Sequence, residues 1–153
     1  MDSRLVEPGD VFVARRGEKE DGHDYIKDAV ASGASAVLLD RSYYEEHEKE
    51  LCALGVFLMP VQNSEKGLVT LASAWLQEVS PSVVGITGSV GKTTTREFLA
   101  LCLRKERRVH AAKKSYNTLV GCSLTVLAMP ADTEILVVLR RSTNPLVLLL
   151  PPV

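Results

Sequence analysis

Gly85, Gly88 and Gly91 recur at a spacing of three and lead straight into Lys92-Thr93-Thr94, within the run GITGSVGKTT. Phosphate oxygens seek backbone N–H donors that no side chain shields, and closely spaced glycines expose them. Thr87, Ser89 and Val90 fill the positions between. A helix opening at the end of the run would add its unpaired N–H groups and the positive end of its dipole. Lys92 is the candidate catalytic residue, a mobile charge for the β- and γ-phosphates. Thr93 offers a hydroxyl to Mg²⁺, with Thr94 beside it. The strict pattern G-x-x-x-x-G-K-[ST] is not met, because its first glycine would fall on Ile86. The plain alternative is a Gly-rich turn that binds nothing. Against it, the run follows a short apolar strand and opens an amphipathic helix, the setting a phosphate loop requires. The expected ligand is a nucleoside triphosphate, ATP foremost.

The elements that must position this loop follow from periodicity. Val11 to Ala14, Ala36 to Leu39 and Val56 to Met59 are short apolar runs bounded by turn residues and are expected to be strands, the third ended by Pro60. An amphipathic helix is expected from Asp24, with Tyr25, Ile26, Ala29 and Val30 on one face and Gly33 as its stop. Ser42 is the expected cap of an acidic helix over 43–54, closed by Gly55, and Ser64 the cap of the next. Leu68, Ala72, Trp75, Leu76 and Val79 form that last helix's apolar stripe, which reads as core. Pro81 breaks the pattern before the loop's strand, 83–87. The helix after the loop, over 93 to about 105, is expected to turn Phe98, Leu99, Cys102 and Leu103 inward. A strand over 108–112, a polar loop to Thr118, a helix over 121–129 and a strand over 134–139 complete the series. Such alternation predicts an α/β fold with mainly parallel sheets.

Composition narrows the class. Hydrophobic residues make up 46% and charged residues 24%, and the net charge of −1 gives no bulk attraction for nucleic acid or an anionic membrane. Cys52, Cys102 and Cys122 are far apart and set among apolar residues, which suggests thiols in a reducing compartment. With His23, His47 and His110 they make no metal-ligand spacing. The opening MDSRLVEPGD has no signal-peptide pattern, and no run reaches the ~18 apolar residues of a membrane span. A cytoplasmic, soluble protein without a nucleic-acid partner is expected. The basic cluster Arg104-Lys105-Glu106-Arg107-Arg108, the pair Lys113-Lys114 and the acidic run Glu45-Glu46-His47-Glu48-Lys49-Glu50 read as solvated faces.

The loop also resembles the ATP loop of the Mur ligases, the muramoyl-peptide ligases of peptidoglycan synthesis. Asp2-Ser3-Arg4, the run from Pro8-Gly9-Asp10 to Ala14, Gly17, Asp21-Gly22-His23 and Gly33-Ala34 resemble that family's N-terminal domain, which holds the UDP part of its substrate. The stretch from Ser115-Tyr116-Asn117-Thr118 to Thr125 is similar to the segment after the ATP loop in the branch that adds D-alanyl-D-alanine. Ser89-Val90 after Gly88 points to the same branch.

The resemblance implies a UDP-substrate domain over 1–80 and the start of a P-loop ATPase domain over 81–138, truncated before a divergent apolar tail, 139–153. It implies an ATP- and Mg²⁺-dependent amide-forming ligase, monomeric at full length, whose small-molecule substrates are a UDP-N-acetylmuramoyl peptide and D-alanyl-D-alanine. Ser3, Arg4, His23, Asn117 and Thr118 would then touch substrate. As residues alone, Arg4 can equally be a surface arginine, and Asn117 and Thr118 turn formers. Three departures stand out: Thr118 follows Asn117 where the branch has a second asparagine, Ser123 replaces a proline, and Leu139 occupies the place of a Mg²⁺-holding Glu. The apolar run from Leu146 to Leu150 suggests a fragment or a lost reading frame. The alternatives are a nucleotide-binding chain without catalysis, or a relative that adds a single amino acid.

Overall fold

The computed structural model describes residues 3–17, 20–112 and 118–139. Those residues form six strands and five α-helices in alternation, and every strand pairing is parallel, as the sequence predicts. The chain divides into two compact units, Met1–Leu68 and Val69–Val153.

In the first unit β1 (Val11–Val13), β2 (Ala36–Asp40) and β3 (Phe57–Val61) pair in the order β1-β2-β3. The central β2 is buried along its whole length, which explains its unbroken apolar run. A 3-10 turn (Gly22–Tyr25) leads into α1 (Ile26–Ala31), and α2 (Arg41–Cys52) connects β2 to β3. Phe12, Ala14, Ile26, Ala29, Val37, Leu39 and Leu51 close the core between sheet and helices.

Several boundaries differ from expectation. Helix α2 starts at Arg41, before Ser42; its cap position is Asp40, whose carboxylate instead accepts from Ser64 N at 2.6 Å. Strand β3 runs through Pro60, which an edge strand tolerates because a proline there need not break an inner ladder. Asn63, not Ser64, caps α3 (Ser64–Val79), accepting from Lys66 N at 2.9 Å. At His47 helix α2 kinks (φ −123°). The ring Nδ1–H of His47 donates to the Tyr43 carbonyl at 3.0 Å, taking the acceptor that the helix ladder would use.

The second unit pairs β4 (Ser82–Ile86), β5 (Val109–Ala111) and β6 (Ile135–Leu139) in the order β4-β6-β5. Helices α4 (Lys92–Leu103) and α5 (Leu119–Leu127) pack on the sheet. The α3 stripe behaves as core: Ala72 and Leu76 are buried with Cys122, Val126, Met129, Leu136 and Val138. Trp75 lies against that cluster and donates its Nε1–H to the Met129 carbonyl at 3.0 Å. The expected inner face of α4 holds only for the half-buried Leu99 and Leu103 and is otherwise corrected. Phe98 is 69% exposed and Cys102 is exposed too, while Arg96 and Ala100 are buried. The loop's final glycine fixes where the helix begins, and so its phase; small Ala100, not bulky Phe98, meets the sheet.

Candidate phosphate-binding site

The three parallel strands of the second unit end at one edge, and the loop sits there between β4 and α4. Gly85 lies inside β4, opposite Val138 of β6, so it belongs to the strand and not to the loop proper. Thr87, Gly88, Ser89, Val90 and Gly91 form the turn, all exposed to solvent. Gly88 has φ +146° and Gly91 φ +78°, values that side-chain-bearing residues rarely adopt. Gly91 is also the N-cap of α4 and offers no side-chain cap bond. Thr95 N closes the first helical bond onto the Gly91 carbonyl at 2.9 Å. The N–H groups before it point out of the helix end, where an anion is favoured.

Lys92 reaches back over the turn and donates from Nζ to the Gly88 carbonyl at 2.5 Å. A flexible ammonium bound to one neutral carbonyl can exchange it for phosphate oxygens, a stronger charge-assisted partner. Thr93 and Thr94 are exposed on the first turn of α4. Thr118 caps α5 and accepts from Gly121 N at 3.1 Å, so the second helix opening at this edge carries its own cap. Asn117 lies outside the described residues, as do Asp2, Lys113-Lys114, Ser115-Tyr116 and the 140–153 tail.

In the first unit, Arg4 is exposed on a 3-10 turn (Ser3–Leu5) that packs on α1. His23 is only 1% exposed, and both ring nitrogens are engaged. Nδ1 meets Asp21 Oδ1 at 2.5 Å, and Nε2 accepts from Asp40 N at 3.0 Å. The donor at Asp40 N leaves Nε2 without a proton, so the ring proton sits on Nδ1. This geometry gives His23 a structural task within the first unit, tying Asp21 to the end of β2. Burial alone would raise the Asp21 pKa; hydrogen bonds from the His23 backbone and ring, with the nearby Arg16 charge, more than offset that and hold it low. Gly22 is required for close approach, because a Cβ there would lie 2.7 Å from the Arg15 backbone. Arg16 reaches Asp21 at 3.2 Å and Asp40 at 3.9 Å, and Arg15 pairs with Glu65 at 3.2 Å. Sequence reasoning missed Asp40 and its bond to Ser64 N, which joins residues 24 apart and leaves no local signature.

The described residues contain no group of three or more His, Cys, Asp or Glu able to hold a metal ion, and no helix among them is long and apolar enough to cross a membrane. Leu139, the last residue of β6, lies beside Ile86 at the base of the loop and is 1% exposed.

The chain matches the model for the Mur ligase family, catalytic domain, over residues 1–76 and that for the Mur ligase middle domain over residues 86–144. It is 40% identical over 136 residues to the UDP-N-acetylmuramoyl-tripeptide–D-alanyl-D-alanine ligase of Bacillus subtilis, covering 89% of this chain and 28% of that relative. The ligase of the same name from Synechocystis is 36% identical over 137 residues, covering 90% and 29%. Among solved structures, the MurF ligase from Thermotoga maritima in complex with ADP superposes with a TM-score of 0.77 at 35% identity, covering 99% of this chain and 34% of that one. The chain thus spans less than a third of the length of these two curated relatives. With matches to the family's catalytic and middle domains on the two sides of Pro81, this chain belongs to the Mur ligase family.

Proposed function

We propose that the loop of the second unit binds the phosphates of ATP. In this reading the chain corresponds to the UDP-substrate and nucleotide-loop portions of an ATP-dependent, amide-forming ligase of peptidoglycan precursor synthesis. The observation that carries the proposal is the loop itself: two glycines at positive φ, an uncapped helix end, and Lys92 drawn across the turn. Phosphoryl transfer rests mostly on positioning and charge neutralisation, which these groups can supply. The ADP bound in the similar solved structure supports the nucleotide class.

In the whole ligase, a carboxylate oxygen of UDP-N-acetylmuramoyl-tripeptide would attack the γ-phosphorus and release ADP, giving an acyl phosphate. The amine of D-alanyl-D-alanine would then attack the acyl carbon, losing a proton as phosphate departs. The names of the curated relatives support this pair of substrates. Lys92 neutralises charge on the transferring group, Gly88, Ser89, Val90, Gly91, Thr93 and Thr94 contribute loop amides, and Thr93 is the hydroxyl available to Mg²⁺. Ser3 and Arg4 are proposed to serve the UDP side, Arg4 through its fit to a diphosphate. Asn117 and Thr118 are proposed to face substrate.

A second reading, nucleotide binding without turnover, is favoured by the apolar end of β6. A phosphate-release assay with UDP-N-acetylmuramoyl-tripeptide and D-alanyl-D-alanine, beside an ATP titration, separates the two. Binding that disappears in Lys92→Ala supports the loop's role, and turnover distinguishes the ligase from the binding chain. An ATP affinity unchanged in Lys92→Ala would sink the proposal.

A further inference from the structure

The acidic residues of the second unit gather at the end of the sheet away from the loop. Glu78 lies near the end of α3 just ahead of β4, and Glu106 follows α4 ahead of β5. Asp132 and Glu134 precede β6, where Glu134 accepts from Arg108 N at 2.9 Å and Arg107 Nη1 at 3.2 Å. Because the strands are parallel, all four stand at their amino ends. Glu97, the remaining acid, is committed to Arg96 at 2.9 Å, more than a turn along α4 from Lys92. Residues 135–153 include neither Asp nor Glu.

Magnesium bound with a nucleotide is held in phosphate-loop proteins by the loop hydroxyl together with an acid from a neighbouring strand. Here the neighbouring strand is β6, reading Ile-Leu-Val-Val-Leu, and the residue level with the base of the loop is buried Leu139. Thr93 is left as a lone hydroxyl, too little for a small hard cation that prefers one or two carboxylates beside its phosphates and waters. The residues present do not fit the ion.

We infer that this loop holds nucleotide phosphates through its amides and Lys92 alone, so that the chain's affinity for nucleotide does not depend on Mg²⁺. The inference rests on the nucleotide reading above. Lys92 and the loop amides meet phosphate oxygens whether or not a cation rides on them, and with no carboxylate to receive that cation it adds no contact of its own.

The test uses the whole 153-residue chain and a ribose-labelled fluorescent ADP, titrated by anisotropy at fixed ionic strength in MgCl₂ or in EDTA. The expected dissociation constants agree within about threefold, since both buffers screen the loop equally. A tightening of about tenfold or more in Mg²⁺ would overturn the inference while leaving the nucleotide reading intact. No binding in either buffer would overturn that reading and the inference with it. Leu139→Glu, checked for folding by circular dichroism, should gain a Mg²⁺ preference of about tenfold, the scale of one metal-supporting group. A folded variant with no gain would contradict the assignment of Leu139 as the missing contact. Should the buried carboxylate prevent folding, the wild-type pair of titrations decides alone.

Discussion

The two units end their sheets in opposite ways. Both are three parallel strands alternating with helices. At the carboxyl edge of the first, Arg15, Arg16, Asp21, His23, Asp40, Ser64 and Glu65 hydrogen-bond or ion-pair with one another. At the carboxyl edge of the second, glycines replace side chains at the start of α4, which is uncapped while Thr118 caps α5, and the strands finish in Ile86, Ala111 and Leu139. One edge satisfies its polar groups internally; the other exposes donors to an outside anion. The same topology therefore yields an edge whose polar groups satisfy one another or one whose donors face solvent, according to whether the loops bring their own counter-charges.

Replacing His23 by Leu should have the largest effect on the first unit. Asp40 N would lose its buried acceptor and Asp21 its ring donor, at a cost of about 2–4 kcal/mol in a urea melt. Nucleotide binding by the second unit should survive wherever the variant stays folded. Lys92→Ala should do the reverse, weakening nucleotide by about tenfold or more while shifting the melt by less than about 0.5 kcal/mol. Gly91→Ala sharpens the point from the backbone. A Cβ at φ +78° should cost about 1 kcal/mol of stability and weaken nucleotide as well.

Acid should loosen both units. Asp21 and Glu134 are held below their ordinary values of 3.8 and 4.5. For Glu134 the main cause is the Arg108 backbone N–H, with Arg107 adding to it. A depressed folded pKa means stability that is whole above those ordinary values and is lost as pH falls through the lower folded ones. Melting temperature should therefore fall below about pH 4, and Asp21→Asn or Glu134→Gln should each flatten that slope. The smallest effect belongs to Ser123→Ala. Ser123 Oγ is the one buried side-chain polar atom found without a partner among the described residues. Removing it should stabilise by about 1 kcal/mol, seen as a higher melting temperature.

The alternation of elements and the glycine turn between β4 and α4 were legible in the sequence because both are local. Apolar runs at strand length, and Gly-x-x-Gly before Lys-Thr-Thr, announce themselves within ten residues. The caps were harder. Ser42 and Ser64 have the right chemistry, but Asp40 and Asn63 stand one or two residues earlier, and the tertiary bond between Asp40 and Ser64 decides the outcome. The face of α4 was misread because Phe98 and Cys102 suit a core, while the helix's phase is set by Gly91. The resemblance placed His23 toward substrate; that its ring bonds Asp21 and also Asp40, 17 residues away, has no local signature.

The most direct test of the contrast is a backbone amide NMR titration of the full chain with ADP. The account predicts shift changes concentrated at Gly88 to Thr95, with His23, Asp40 and Ser64 unmoved. Loop amides that stay still at saturating ADP, or changes centred on the first unit's network, would contradict it.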